Sequence, residues 1–206
     1  MVAFHARRLP HYYEVGRPVF LTWRLHGSLP SNRRFPAAGA SGHEFAAMDR
    51  LLANAITGPQ YLRQPSIAQM VVEAIRYRDP GHYQLHHFVV MPNHVHMLVT
   101  PRVPVSQVMH SLKRCTALEG NRMLGIRGRP FWQDESYDRL VRDEGEFGRI
   151  ARYIEMNPVS AGLVRSPEEF LWSSAGGRLP TGRRLNNLPH LRRNPDGIPT
   201  GKMYGL

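Results

Sequence analysis

YQLHHFVVMPNHVHMLVT, residues 83–100, decides the fold. Tyr83 to Val90 is dense in aromatic and β-branched side chains, the composition of a strand. The run breaks at Met91-Pro92-Asn93, because Pro92 has no N–H for a ladder and Asn93 tolerates turn geometry. His94 to Thr100 resumes as a second strand, so the stretch reads as an antiparallel hairpin. Side chains two apart on a strand project from the same face. His94 and His96 therefore stand side by side, with Val95, Met97 and Val99 turned to the core on the other side. Two imidazoles so placed can hold one metal ion, although the same spacing also arises in strands with solvent-facing histidines. His86 and His87 are adjacent, so this reading points them to opposite faces and gives them no shared ion.

The segments around the hairpin extend the pattern. Val19 to Leu25 is a β-branched and aromatic run closed by Gly27 and Pro30, and reads as a strand. Phe45 to Ala55 reads as a helix with Met48, Leu51, Leu52 and Ile56 at helical spacing. Gln64-Pro65-Ser66 opens a firmer helix, since Pro is tolerated where an N–H would be unpaired anyway. Its apolar positions are Ile67, Met70, Val71, Ala74 and Ile75, and Asp79-Pro80-Gly81 stops it. A helix from about Val105 to Leu124 follows, then a strand over Tyr137 to Arg142. A last helix runs from about Asp143 to Met156 and ends at Asn157-Pro158. Strand, helix, hairpin, helix, strand, helix gives an α+β protein, a single antiparallel β-sheet with helices packed on it. The division expected is an N-terminal arm over 1–16, one domain over 17–175, and a Gly-, Pro- and Arg-rich tail over 176–206.

The bulk properties narrow the partner. The formal charge is +11, with 27 basic against 16 acidic residues, and the pI is near 10.6. Such a surplus points to a polyanion. Lys113 and Lys202 are the only lysines. Arginine in place of lysine is also what a GC-rich genome produces, but codon bias does not explain the surplus over acids. The basic residues form no amphipathic stripe, which disfavours a membrane-surface role. No apolar run reaches spanning length, the first residues show no secretory leader, and a single cysteine, Cys115, fits a reducing compartment.

A second chemical feature lies in the last helix. Tyr153 and Asn157 are four apart, hence one turn apart on one side. Tyr153 offers a phenolic oxygen and Asn157 an amide oxygen as a third metal ligand. A phenol, with an ordinary pKa near 10, needs a proton acceptor or a nearby cation to act as a nucleophile. Taken singly, Tyr153 fits the edge of a core and Asn157 fits a helix terminator before proline. Tyr77 and Tyr137 lack an amide four residues on.

Four segments resemble one family in the same order: FVVMPNHVHMLV at 88–99, FWQDESYDRLVR at 131–142, YIEMNPVSAGL at 153–163 and LWSS at 171–174. The chain resembles the REP-associated tyrosine transposases, single-tyrosine (Y1) relatives of the IS200/IS605 transposases in the HUH superfamily. In that superfamily two histidines flank a large apolar residue, here Val95. The resemblance implies a ferredoxin-like, RRM-like core. It implies His94, His96 and Asn157 as the metal site, with Mg²⁺ or Mn²⁺, and Tyr153 as the nucleophile. It implies cleavage and rejoining of single-stranded DNA near palindromic hairpins through a 5′-phosphotyrosine, in the bacterial cytoplasm at the nucleoid. DNA contacts expected are Arg24, Lys113, Arg114, Trp132 and Arg142, the indole by stacking on bases. A monomer and a homodimer both fit. Two other readings compete. One is a hairpin-binding regulator that keeps the fold without catalysis. The other is a metal-dependent hydrolase that activates water, for which no carboxylate lies near the histidines in sequence.

Overall fold

The computed structural model describes residues 15–29, 47, 49–52 and 58–176. Most of the expected arm, the loop after Pro30 and the tail from residue 177 lie outside the described residues. The elements are β1 (Val19–Leu25), α1 (Pro65–Tyr77), β2 (Tyr83–Val90), β3 (His94–Pro101), α2 (Val105–Met123), β4 (Trp132–Leu140) and α3 (Glu144–Ser160). Short 3-10 turns lie at Tyr61–Arg63 and Pro167–Glu169. The four strands form one antiparallel sheet in the order β2-β3-β1-β4. This is the ferredoxin-like arrangement, with a further helix, α3, after it.

Alternation sorts the sheet into two unlike faces. Val19, Leu21, Trp23, Leu25, Val95, Met97 and Val99 turn to α1 and α2 and form the larger core with Ile67, Val71, Ile75, Val108 and Leu112. Each such side chain contributes about 1.5–3 kcal/mol on burial. The other face carries Phe20 and Leu98, packed with Leu52, Tyr137 and Ile154. The same parity places Thr22, Arg24, His94 and His96 on it, since Thr22 pairs with His96 and Arg24 with His94. This second face is polar at its centre and covered by α3 and the helical residues 49–52. Of the apolar residues at helical spacing there, Leu51 is 46% exposed and Leu52 is buried.

Two bulges depart from the regular pattern. Trp23 pairs with Ser136 but Leu25 pairs with Trp132, so three residues of β4 lie opposite Arg24. Their carbonyls lose ladder partners, and Lys113 Nζ replaces them, donating to Gln133, Asp134 and Glu135 at 3.0, 3.0 and 3.3 Å. Burial holds this ammonium down at about 8, against the pull of Asp134. The second bulge lies between Leu85 and His87 in β2. Strict alternation fails there. His86 and His87 both meet the Phe147 ring of α3, at 5.1 and 6.3 Å between centroids, so the expectation of opposite faces is corrected. The far edge of β2 is closed by residues 172–174, with Val90 N–H donating to Trp172 O and Ser174 N–H to Phe88 O.

Helix α3 begins where its acids dictate. Asp143 accepts from the Glu146 N–H at 2.7 Å, and Glu146 accepts from the Arg142 N–H at 2.9 Å. The Glu146 carboxylate also binds the Arg139 and Arg142 guanidinium groups. Burial opposes its charge, but these hydrogen bonds prevail and hold its pKa at about 2. The helix does not end at Asn157-Pro158 as expected; it runs on to Ser160. Pro158 removes one N–H in the last turn, where few hydrogen bonds remain to lose.

Candidate active site

The sheet's polar face brings four distant segments together. His94 and His96 are fully buried, with ring centroids 4.7 Å apart. Above them lies Asp49, from the helical residues 49–52. Its Oδ1 is 3.0 Å from His96 Nε2 and 3.4 Å from His94 Nε2. Its Oδ2 accepts from Asn157 Nδ2 at 3.0 Å and from the Tyr153 hydroxyl. The Tyr153 ring lies 5.6 Å from His96 and edge-on to Phe20 at 6.2 Å. Phe20 stacks on His96 at 5.6 Å, closing the floor.

Electrostatics at this site follow from burial. It pushes the His94 imidazole down to about 3, against the attraction of Asp49. It also opposes the Asp49 charge, but His96 and His94 outweigh it and keep the carboxyl below its usual range. The Tyr153 phenol is pushed far above its ordinary value, first by burial and then by the Asp49 charge.

The donor set fits a metal ion. Among the described residues, Asp49, His94 and His96 form a buried group with ligand atoms within 4.8 Å of one another. His94 Nε2 and Asn157 Oδ1 are buried and make no hydrogen bond, while Asp49 Oδ1 faces both imidazoles. An unsatisfied buried polar atom costs roughly 1–3 kcal/mol, so two beside one carboxylate are what a bound cation would satisfy. Neutral imidazole nitrogens, a carboxylate and an amide oxygen are all electron-pair donors.

Each sequence-based expectation has a definite position. Tyr153 and Asn157 do come to the His94/His96 strand, and they do so through Asp49. That carboxylate was missed because 45 residues separate it from His94. A trace of it was legible all the same: it lies three residues before buried Leu52, so an acid occupies the inward side of a helix. Trp132 lies in the core. Its indole is buried against Trp23 and Phe131 and donates to Thr116 Oγ1 at 2.7 Å, a packing role in place of the expected exposed stacking face. Lys113 is committed to the β4 bulge. Arg24 is 3% exposed, on the same face as His94, with Nη1 donating weakly to Ser28 Oγ at 3.4 Å. Arg114 is exposed, and Arg142 is exposed while tied to Glu146.

Comparison with known proteins bears on the family and the fold. Residues 62–157 match the family described as transposase IS200 like. This segment, just under half of the chain, is similar to the IS200-like transposases. No curated protein sequence matches the chain. Among solved structures, a REP-associated tyrosine transposase bound to a REP hairpin superposes with a TM-score of 0.52 at 18% identity, covering 84% of this chain and 98% of that one. At that identity the likeness speaks for the fold. A second chain, from a putative transposase of Deinococcus radiodurans R1, has a TM-score of 0.35 at 16% identity, over 73% of this chain and 97% of that one. Among the described residues no helix is long and apolar enough to cross a membrane.

Proposed function

We propose that this protein cleaves and rejoins single-stranded DNA near hairpin-forming repeats, with Tyr153 as the nucleophile. The observation that carries the reading is the meeting of Tyr153 and the His94/His96 pair on one carboxylate, Asp49. His94, His96 and Asp49 would hold a divalent cation, Mg²⁺ or Mn²⁺, with Asn157 Oδ1 as a further donor. Two imidazoles favour Mn²⁺ and the oxygens favour Mg²⁺, so the donor set admits both. A cation bound there would polarise the scissile phosphate and offset charge as it develops.

The chain's own groups account for the rest. Tyr153 Oη attacks phosphorus, and the bond from phosphorus to the 3′ oxygen breaks. A 5′-phosphotyrosine and a free 3′-OH result. Asp49 Oδ2 accepts the Tyr153 O–H and orients it, and the phenolic proton ends on the departing 3′ oxygen, directly or through water, to give the 3′-OH. The phosphotyrosine keeps the energy of the ester, so a 3′-OH that attacks it rejoins strands without ATP. Exposed Arg114 and Arg142 supply positive charge for the backbone, and the overall charge of +11 supports a nucleic-acid partner. The setting that fits is the bacterial cytoplasm, at the nucleoid.

The test is incubation with hairpin-bearing single-stranded DNA and Mn²⁺, read on a denaturing gel. A covalent protein–DNA adduct that disappears in Tyr153→Phe is the expected result. Asp49 gives a second reading some footing, because it supplies the carboxylate that a water-activating hydrolase needs. Cleavage without an adduct would select that reading. Hairpin binding with neither cleavage nor adduct would select a non-catalytic regulator.

A further inference from the structure

Asn93 lies at the tip of the β2–β3 hairpin, buried, and uses both ends of its amide. Its Nδ2 donates to the Leu52 carbonyl at 2.9 Å. Its Oδ1 lies 2.6 Å from His94 Nδ1. The first contact decides the second: only the NH₂ end can donate to a carbonyl, so the oxygen faces His94. An amide oxygen only accepts. In the neutral ring the proton is therefore on Nδ1, and Nε2 presents a lone pair. That lone pair faces Asp49 Oδ1, another acceptor, at 3.4 Å. A cation between the two would be held by both. His96 differs, because its Nδ1 meets the Thr22 hydroxyl at 2.8 Å, and a hydroxyl can donate or accept.

Leu52 belongs to the same helical stretch as Asp49. One amide thus joins three things: the tautomer of His94, the turn that begins β3, and the segment that brings in the carboxylate. We propose that Asn93 is a positioning residue that holds His94 with Nε2 bare for a cation and docks the Asp49 segment over it. The inference rests on the metal site proposed above, although its first test does not.

That test is ¹⁵N NMR of the metal-free, full-length protein, with long-range proton couplings that reveal which ring nitrogen of His94 carries hydrogen. A protonated Nδ1 and a bare Nε2 are expected; a protonated Nε2 overturns the proposal whatever the protein does with metal or DNA. Asn93→Ala should release the preference and weaken Mn²⁺ binding, read by calorimetry, by about 10–100-fold, as loss of the partner behind a ligating histidine does. Asn93→Asp keeps an acceptor opposite Nδ1 but sets an oxygen against the Leu52 carbonyl. It should retain the tautomer while losing the donor contact to Leu52. An Asn93→Ala protein with the wild-type tautomer and Mn²⁺ affinity within twofold would refute the role. If Asn93→Ala does not fold, the wild-type and Asn93→Asp tautomers decide. Failure of the wild-type protein to bind Mn²⁺ would count against the metal site alone.

Discussion

The β2–β3 hairpin carries two histidine pairs, and they differ in everything but residue type. His94 and His96 alternate along β3, are fully buried, and converge on Asp49. His86 and His87 are neighbours at a bulge near the sheet edge, and each has its own partner. His86 Nε2 meets Thr100 Oγ1 at 2.8 Å, and His87 Nδ1 meets Glu155 Oε1 at 2.9 Å. The His87 and Glu155 side chains are 27% and 34% exposed, so water competes for both. Proximity to an acid on α3 does not make a metal site. Buried acceptors left without hydrogens do. Both pairs lean on α3, which supplies Phe147 and Glu155 to one and Tyr153 and Asn157 to the other.

The contrast can be broken first at Asp49. Asp49→Ala removes the group shared by both site imidazoles and by Tyr153, and should cost more than about 100-fold in Mn²⁺ affinity by calorimetry, beyond the effect typical of an indirect partner. His87→Ala should leave that affinity within twofold. Equal losses in the two variants would erase the distinction.

A change at the start of α3 acts on both pairs at once. Glu146→Gln loses charge-assisted bonds to Arg139 and Arg142 and should destabilise the fold by about 1.5–3 kcal/mol at neutral pH, measured by urea unfolding. The sign of the pH effect follows from the depressed pKa. The folded carboxyl titrates at about 2 against an ordinary value near 4.5, so its stabilisation is present above the unfolded value and lost as pH falls between them. The wild-type protein should lose stability through that window, and Glu146→Gln should lose less. Parallel acid curves would show that Glu146 does not anchor the helix.

The smallest effect belongs to the half-exposed pair. Glu155→Gln should change stability by less than about 1 kcal/mol, and raised salt should reduce the difference further. A larger change would mean that His87 and Glu155 hold α3 in place, which would bring the two pairs closer in kind.

The order of elements was legible in the chain because periodicity is local. Alternation in 94–99, helical spacing in 67–75 and proline breaks depend on residues a few positions apart. The same parity put His94 and His96 together and turned Val95, Met97 and Val99 to the core. Bulges defeated it. Nothing near His86 announces that β2 gains a residue there, and nothing near Lys113 announces three carbonyls 20 residues on that need a donor. Trp132 shows the limit for aromatics: composition cannot tell a stacking platform from a core indole, and the Thr116 hydroxyl that satisfies it lies a helix away.

By itself the sequence determined which side chains share a strand face or a helix side: His94 with His96, and Tyr153 with Asn157. Those relations are set by backbone geometry at short range. Only the tertiary structure decided that strand and helix meet, and that they meet on Asp49. Packing of α3 and of residues 49–52 over one face of the sheet makes that contact, and burial then makes each unpaired acceptor costly enough to require a partner.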